Sequence, residues 1–75
     1  MKIEYIDEGM SSKIIVSSVI TAHRRHNRCI DAALLATPVR ASTSVGFLFR
    51  MTIVTGKTPH VLRAYKIICE EERRD

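Results

Sequence analysis

The densest run of chemically capable side chains is His23-Arg24-Arg25-His26-Asn27-Arg28-Cys29. Two imidazoles and a thiol at three-residue steps have the identity of metal ligands. Zinc sites, however, want three or four ligands in paired short spacings. Beyond His23, His26 and Cys29 the remaining ligand would have to be Cys69, His60 or Asp31, and none of these has a matching neighbour. The sequence therefore assigns no metal ligand and implies no cofactor. A histidine is more often a satisfied buried or interfacial imidazole than a ligand. Histidine beside arginine is also the chemistry of phosphodiester cleavage, and His23, Arg25 and His26 are the one such set. No spacing groups a nucleophile with a base and an orienting group, so no catalytic residue is assigned and the chain is read as non-enzymatic.

The arginines of that run point to a different chemistry. On a helix Arg24 and Arg28 stand at i,i+4 and Arg25 and Arg28 at i,i+3, so the three share one face. Like charges so placed repel, and a phosphate backbone would offset the repulsion. The plainer reading is a solvated helix face, favourable to the helix dipole if the helix ends nearby. A second candidate is Gly56-Lys57-Thr58, which resembles the end of a phosphate-binding loop. The first glycine of that motif would fall at position 51, which is Met51, so nucleotide hydrolysis is rejected. A strand leading through Gly56 and Lys57 into a helix that starts at Thr58 still offers free N–H groups to one anion. Thr58-Pro59 is equally well explained as a helix cap followed by a first-turn proline.

Charge patterning supports an anionic partner. From Lys13 to Lys66 there are nine basic residues (Lys13, Arg24, Arg25, Arg28, Arg40, Arg50, Lys57, Arg63, Lys66) and one acid, Asp31. The net +4 thus hides a strongly basic body between two acidic ends. Such a field attracts polyanions before any detailed fit is made. The 75 residues suit a single domain spanning 1–75, small enough for self-association to be a natural support. A hydrophobic fraction of 45% excludes a disordered chain, and no apolar run approaches a membrane span. The first residues lack the apolar stretch of a signal peptide, and Cys29 and Cys69 read as reduced thiols, so a cytoplasmic location is expected.

The elements that must position these groups are read as follows. Residues 2–6 alternate and form a first strand, closed by a turn at Asp7–Met10 with Gly9. The segment from about 12 to 36 is rich in β-branched residues, yet Ile15, Val16, Val19, Ile20, Ala22 and His23 fill one arc of a helical wheel. His26, Cys29, Ile30, Ala33 and Leu34 continue it, with Ile14 as the intruder. That periodicity predicts one helix or two, capped at Ser11 or Ser12 and stopped by Pro38. Residues 39–43 and 45–55 read as strands. In the second, Phe47, Phe49, Met51 and Ile53 are expected to face the helices, and Leu48, Arg50, Thr52 and Val54 the open side. A last helix from Thr58 presents Val61, Leu62, Ala64, Tyr65, Ile68 and Cys69 inward, and the tail from Glu70 on is expected to fray. The result is an α+β domain of order β-α-β-β-α. It is a three-stranded sheet packed by two helices, a ferredoxin-like unit truncated by its last strand.

The functional expectation is a small basic protein, nucleic-acid-binding or regulatory, that contacts phosphates through Arg24, Arg25, Arg28, Arg40, Arg50 and Lys57. A separate anion contact is expected at Gly56, Lys57 and Thr58. The alternative is a protein-interaction module of the inhibitor, antitoxin or viral accessory kind, docking through its sheet edge or open face. The candidate partners are a nucleic acid, a protein and a second copy in a homodimer, with no membrane. Leu48 and Val54 on the open face are the motive for the homodimer.

Overall fold

The computed structural model describes residues 1–73, without the side chains of Ile20 and His23. The elements are β1 (Lys2–Asp7), β2 (Ser11–Val19), a single 3-10 turn (Ile20–Ala22), α1 (His23–Ala36), β3 (Arg40–Val45), β4 (Phe49–Lys57) and α2 (Thr58–Arg73). The sheet is antiparallel throughout, in the order β1-β2-β4-β3. The fold is α+β with two helices and four strands, not three. Strands β2 and β3 enclose antiparallel β4 and are joined through α1, which is a split βαβ unit. Strand β1 takes the outer place beside β2 that a final strand would take in a ferredoxin-like sheet. The edge that the sequence reading leaves empty is thus filled from the start of the chain.

The largest correction concerns residues 11–19, which form a strand rather than the first half of a helix. They run in ladders with both β1 (Ile3↔Val16, Tyr5↔Ile14) and β4 (Ile14↔Val54, Val16↔Thr52). The helical period fits this segment as well as the strand period because both faces of this central strand carry apolar residues. Ile14 and Val16 are fully buried, while Ile15 is half-buried on the other face beside Ile53. Two buried serines, Ser12 and Ser18, further disguised the alternation. The helix begins only at His23, and its inner side is His26, Cys29, Ile30 and Ala33, with Leu34 39% exposed.

The second correction inverts β4. Its buried positions are Thr52 and Val54, with Arg50 and Gly56 half-buried in the same phase. Phe49, Met51, Ile53 and Thr55 therefore line the uncovered face. The strand starts at Phe49, not at residue 45, so Phe47 (93% exposed) and Leu48 lie in the preceding turn rather than on either strand face. Val54 is core and cannot belong to an open interface. A Cβ at Gly56 would stand 3.2 Å from Val39 Cγ1 and 3.4 Å from Val61 Cγ2, so the close approach of Val39, just before β3, and then of Val61 on α2 explains this glycine.

Helix α2 buries Val61, Ala64 and Ile68, half-buries Tyr65 and Cys69, and leaves Leu62 exposed. It continues to Arg73, past the expected start of fraying. Arg74 and Asp75 lie outside the described residues. The turn Asp7–Met10 forms as expected: Gly9 has φ 92°, and its N–H donates to Asp7 Oδ1 at 2.9 Å. The core lies between the helices and the inner faces of β2 and β4, as Ile14, Val16, Val54, Cys29, Ile30, Ala33, Val61, Ala64 and Ile68.

Ile14→Ala should therefore cost about 2–5 kcal/mol in urea unfolding, the range for an emptied core site. Leu35→Ala, at a position 89% exposed, should stay within about 0.5 kcal/mol. Equal effects would place Ile14 outside the core.

Candidate functional site

His26 is fully buried, and both ring nitrogens are engaged. Nδ1 lies 2.7 Å from Ser18 Oγ on β2, and Nε2 lies 2.6 Å from Thr52 Oγ1 on β4. Thr52 Oγ1 is in turn 2.9 Å from Thr43 Oγ1 on β3. A neutral imidazole has one donor and one acceptor, so either tautomer satisfies the row, with the hydroxyls turning to suit. Burial pushes the His26 pKa below its ordinary value, and the Arg50 guanidinium lowers it further. Arg50 Nε is itself buried and has no hydrogen-bond partner among the described residues. His26 thus joins α1 to the sheet as a neutral group, with no nitrogen left for a metal. Burial likewise raises the Cys29 thiol, against the lowering effect of Arg28. Among the described residues no group of three or more His, Cys, Asp or Glu is placed to hold a metal ion. The His23 side chain, the third member of the sequence cluster, lies outside them.

A second row of hydroxyls closes the other end of the sheet. Thr58 Oγ1 donates to Gly9 O at 2.6 Å, Ser12 Oγ lies 2.8 Å from Thr58 Oγ1, and Tyr5 donates to Ser12 at 3.1 Å. Since Thr58 spends its proton on a carbonyl, Ser12 must donate to Thr58, and the row runs Tyr5→Ser12→Thr58→Gly9. The Thr58 N–H donates to Met10 O at 3.1 Å. The hydroxyl therefore ties α2 to the β1–β2 turn instead of capping its own helix. Of the expected anion trio, Thr58 is turned inward and Gly56 faces α2, while Lys57 is exposed on the open side.

The six expected phosphate contacts do not converge. Arg24, Arg25 and Arg28 lie on α1, in the helical layer. Arg24 and Arg28 line a shallow groove with Asn27, Asp31 and Leu35. Arg28 reaches α2, with Nη2 3.1 Å from Glu71 O and Nε 3.3 Å from Glu71 Oε2. Arg50 is turned toward the helices. Only Arg40 and Lys57 lie on the uncovered sheet face, and there they come together. Thr55 stands opposite Arg40 on one side and Lys13 on the other, and Lys57 follows two residues along β4. Strand spacing places these cations within about 5–7 Å steps of Thr55. Beside them is a hollow lined by Pro38, Arg40, Thr55, Gly56, Lys57 and His60. Lys13 also makes a long ion pair with Glu8, 3.8 Å.

From this basic corner an apolar stripe runs along the face: Ile53 and Ile15, then Met51, then Phe49 and Val19 at the far end. Phe49 is 59% and Val19 50% exposed. Sequence reasoning missed Lys13, His60 and Phe49 as members of one surface. The available signal was the alternation Lys13, Ile15, Ser17, Val19, visible only once residues 11–19 are taken as a strand. Comparison with family models, with curated proteins and with solved structures returns no match.

The neutral state of His26 has a measurable consequence. Its folded pKa lies below the ordinary value of 6.5, so its contribution to stability is complete above that value and is lost as pH falls toward the folded pKa. Urea unfolding should show stability declining below about pH 6.5, and His26→Gln should remove that part of the decline. The same slope in both proteins would show that His26 is not its source.

Proposed function

We propose that the protein binds single-stranded nucleic acid on its uncovered sheet face, chiefly through phosphates. The observation that carries this reading is the meeting of Lys13, Arg40 and Lys57 around Thr55, with His60 at the rim of the adjoining hollow. Phe49 lies six residues from Thr55 along the same strand, roughly 20 Å away by strand rise. That span accommodates a few nucleotides between a phosphate grip and one base stacked on an exposed ring. Few side chains on the face are suited to read base edges, so binding should be weakly sequence-selective. No chemical step is assigned, and the role is that of a binding or regulatory protein. Arg24, Arg25 and Arg28, on the helical side, become a secondary basic surface in this reading.

A second reading is favoured by the stripe itself. Ile15, Ile53, Met51 and Val19 outnumber the single aromatic, Phe49, as suits a protein-interaction module docking through the same face.

Binding of a fluorescent oligonucleotide across a salt series separates the two. Replacing Arg40 and Lys57 together by alanine should weaken binding to all sequences alike and flatten the slope of log K against log salt by about 1.4 units, at about 0.7 per single-strand phosphate. Phe49→Ala should cost about 1–3 kcal/mol of affinity with the slope unchanged. The triple change of Arg24, Arg25 and Arg28 to alanine should do much less. Unchanged binding in the Arg40/Lys57 variant, or absence of binding at low salt, would move the assignment to the protein-interaction reading.

A further inference from the structure

The two edges of the sheet are built differently. Strand β1 carries Lys2, Glu4 and Asp7, charges of the kind that keep an edge from pairing with another chain. Strand β3 reads Arg-Ala-Ser-Thr-Ser-Val, with one charge, at its first position, and every residue is exposed. It contains no proline or glycine to interrupt pairing.

The backbone phase of β3 is fixed. Gly46 N–H donates to Phe49 O at 2.8 Å, which makes that pair a hydrogen-bonded one. By alternation along the register, Arg40, Ser42 and Ser44 turn their N–H and C=O groups toward β4. Ala41, Thr43 and Val45 turn theirs away from the sheet. These three outward residues are evenly spaced about Thr43. A second β3 laid antiparallel about a two-fold axis at Thr43 places Thr43 opposite its own copy and Ala41 opposite Val45, twice. All three are pairs that exchange both hydrogen bonds, giving six across the junction. The same register sets Ser42 against Ser44 on the uncovered face and Arg40 against Gly46, so no like charges meet. Ala41 and Val45, the latter 61% exposed, cover each other on the helical side.

We propose that the protein self-associates through β3, two copies joining edge to edge about Thr43 into one continuous sheet of twice four strands. A second copy of this chain is the occupant that suits this edge: a two-fold junction presents the same residues from both sides, and in this register it sets Arg40 against no other charge and lets Ala41 and Val45 cover each other. The proposal does not rest on the nucleic-acid reading.

Sedimentation over a micromolar concentration series should show a mass rising from 8.5 kDa toward twice that value. Val45→Pro removes an outward donor and leaves the β3–β4 ladder intact. It should return the protein to a monomer with an unchanged circular dichroism spectrum. In a Cys69→Ser background, Thr43→Cys should form an intersubunit disulfide under mild oxidation, because bonded pairs place Cα atoms about 5.5 Å apart, inside the disulfide range. Ser17→Cys, on β2, should not. A monomer at high micromolar concentration would overturn the proposal. So would a dimer that survives Val45→Pro and gives no Thr43→Cys cross-link.

Discussion

The arrangement depends on one buried imidazole. His26 is the point at which α1, β2 and β4 meet, and it reaches Thr43 on β3 through Thr52. A polar group of that size in a core is tolerated only when its hydrogen bonds are made. Its partners are therefore constraints on the fold. Ser18 and Thr52 must stand on the inner face of the sheet, which fixes the phase of both central strands. Once that phase is fixed, Ile14, Val16 and Val54 turn inward, and Ile15, Ile53, Met51 and Phe49 turn outward. The character of the uncovered face follows from the satisfaction of the buried one.

The second hydroxyl row works in the same way at the opposite end of the sheet. Tyr5, Ser12, Thr58 and the Gly9 carbonyl link β1, β2, the first turn and the start of α2. Between them the two rows hold both helices to all four strands by short, directional contacts. In a chain of 75 residues, whose apolar core is limited, such networks specify one packing among several that hydrophobic burial alone would allow.

These networks also explain how far the sequence could be read. The class of fold, the first strand, the Asp7–Met10 turn, the presence of two later strands and the start of α2 at Thr58 follow from local alternation and turn chemistry, whereas the inner face of β4 and the inward role of the Thr58 hydroxyl do not. Residues 11–19 do not, because the polar positions on their inner face are serines whose partners lie elsewhere in the chain: Ser18 meets His26, eight residues on, and Ser12 meets Thr58, forty-six residues on. Nothing local distinguishes such a serine from a solvated one. A helix over residues 11–19 takes Lys13 and Ile15 off the sheet, and without β2 as a neighbour the more apolar side of β4, with Phe49, Met51 and Ile53, reads as its inner side. The basic charge of the body was visible from the start. Its division between a helical side and a strand-borne corner was not, since that depends on which face each strand buries.

The two cysteines inherit opposite surroundings from this architecture. Cys29 has no exposed surface, and its thiol is held in the protonated, unreactive form, while Cys69 is half-open. A thiol reagent should therefore meet the second in the native state and the first only when α1 lifts from the sheet. The chain carries its own clock for opening: the lag between modification of Cys69 and of Cys29 measures how often the His26 junction comes apart.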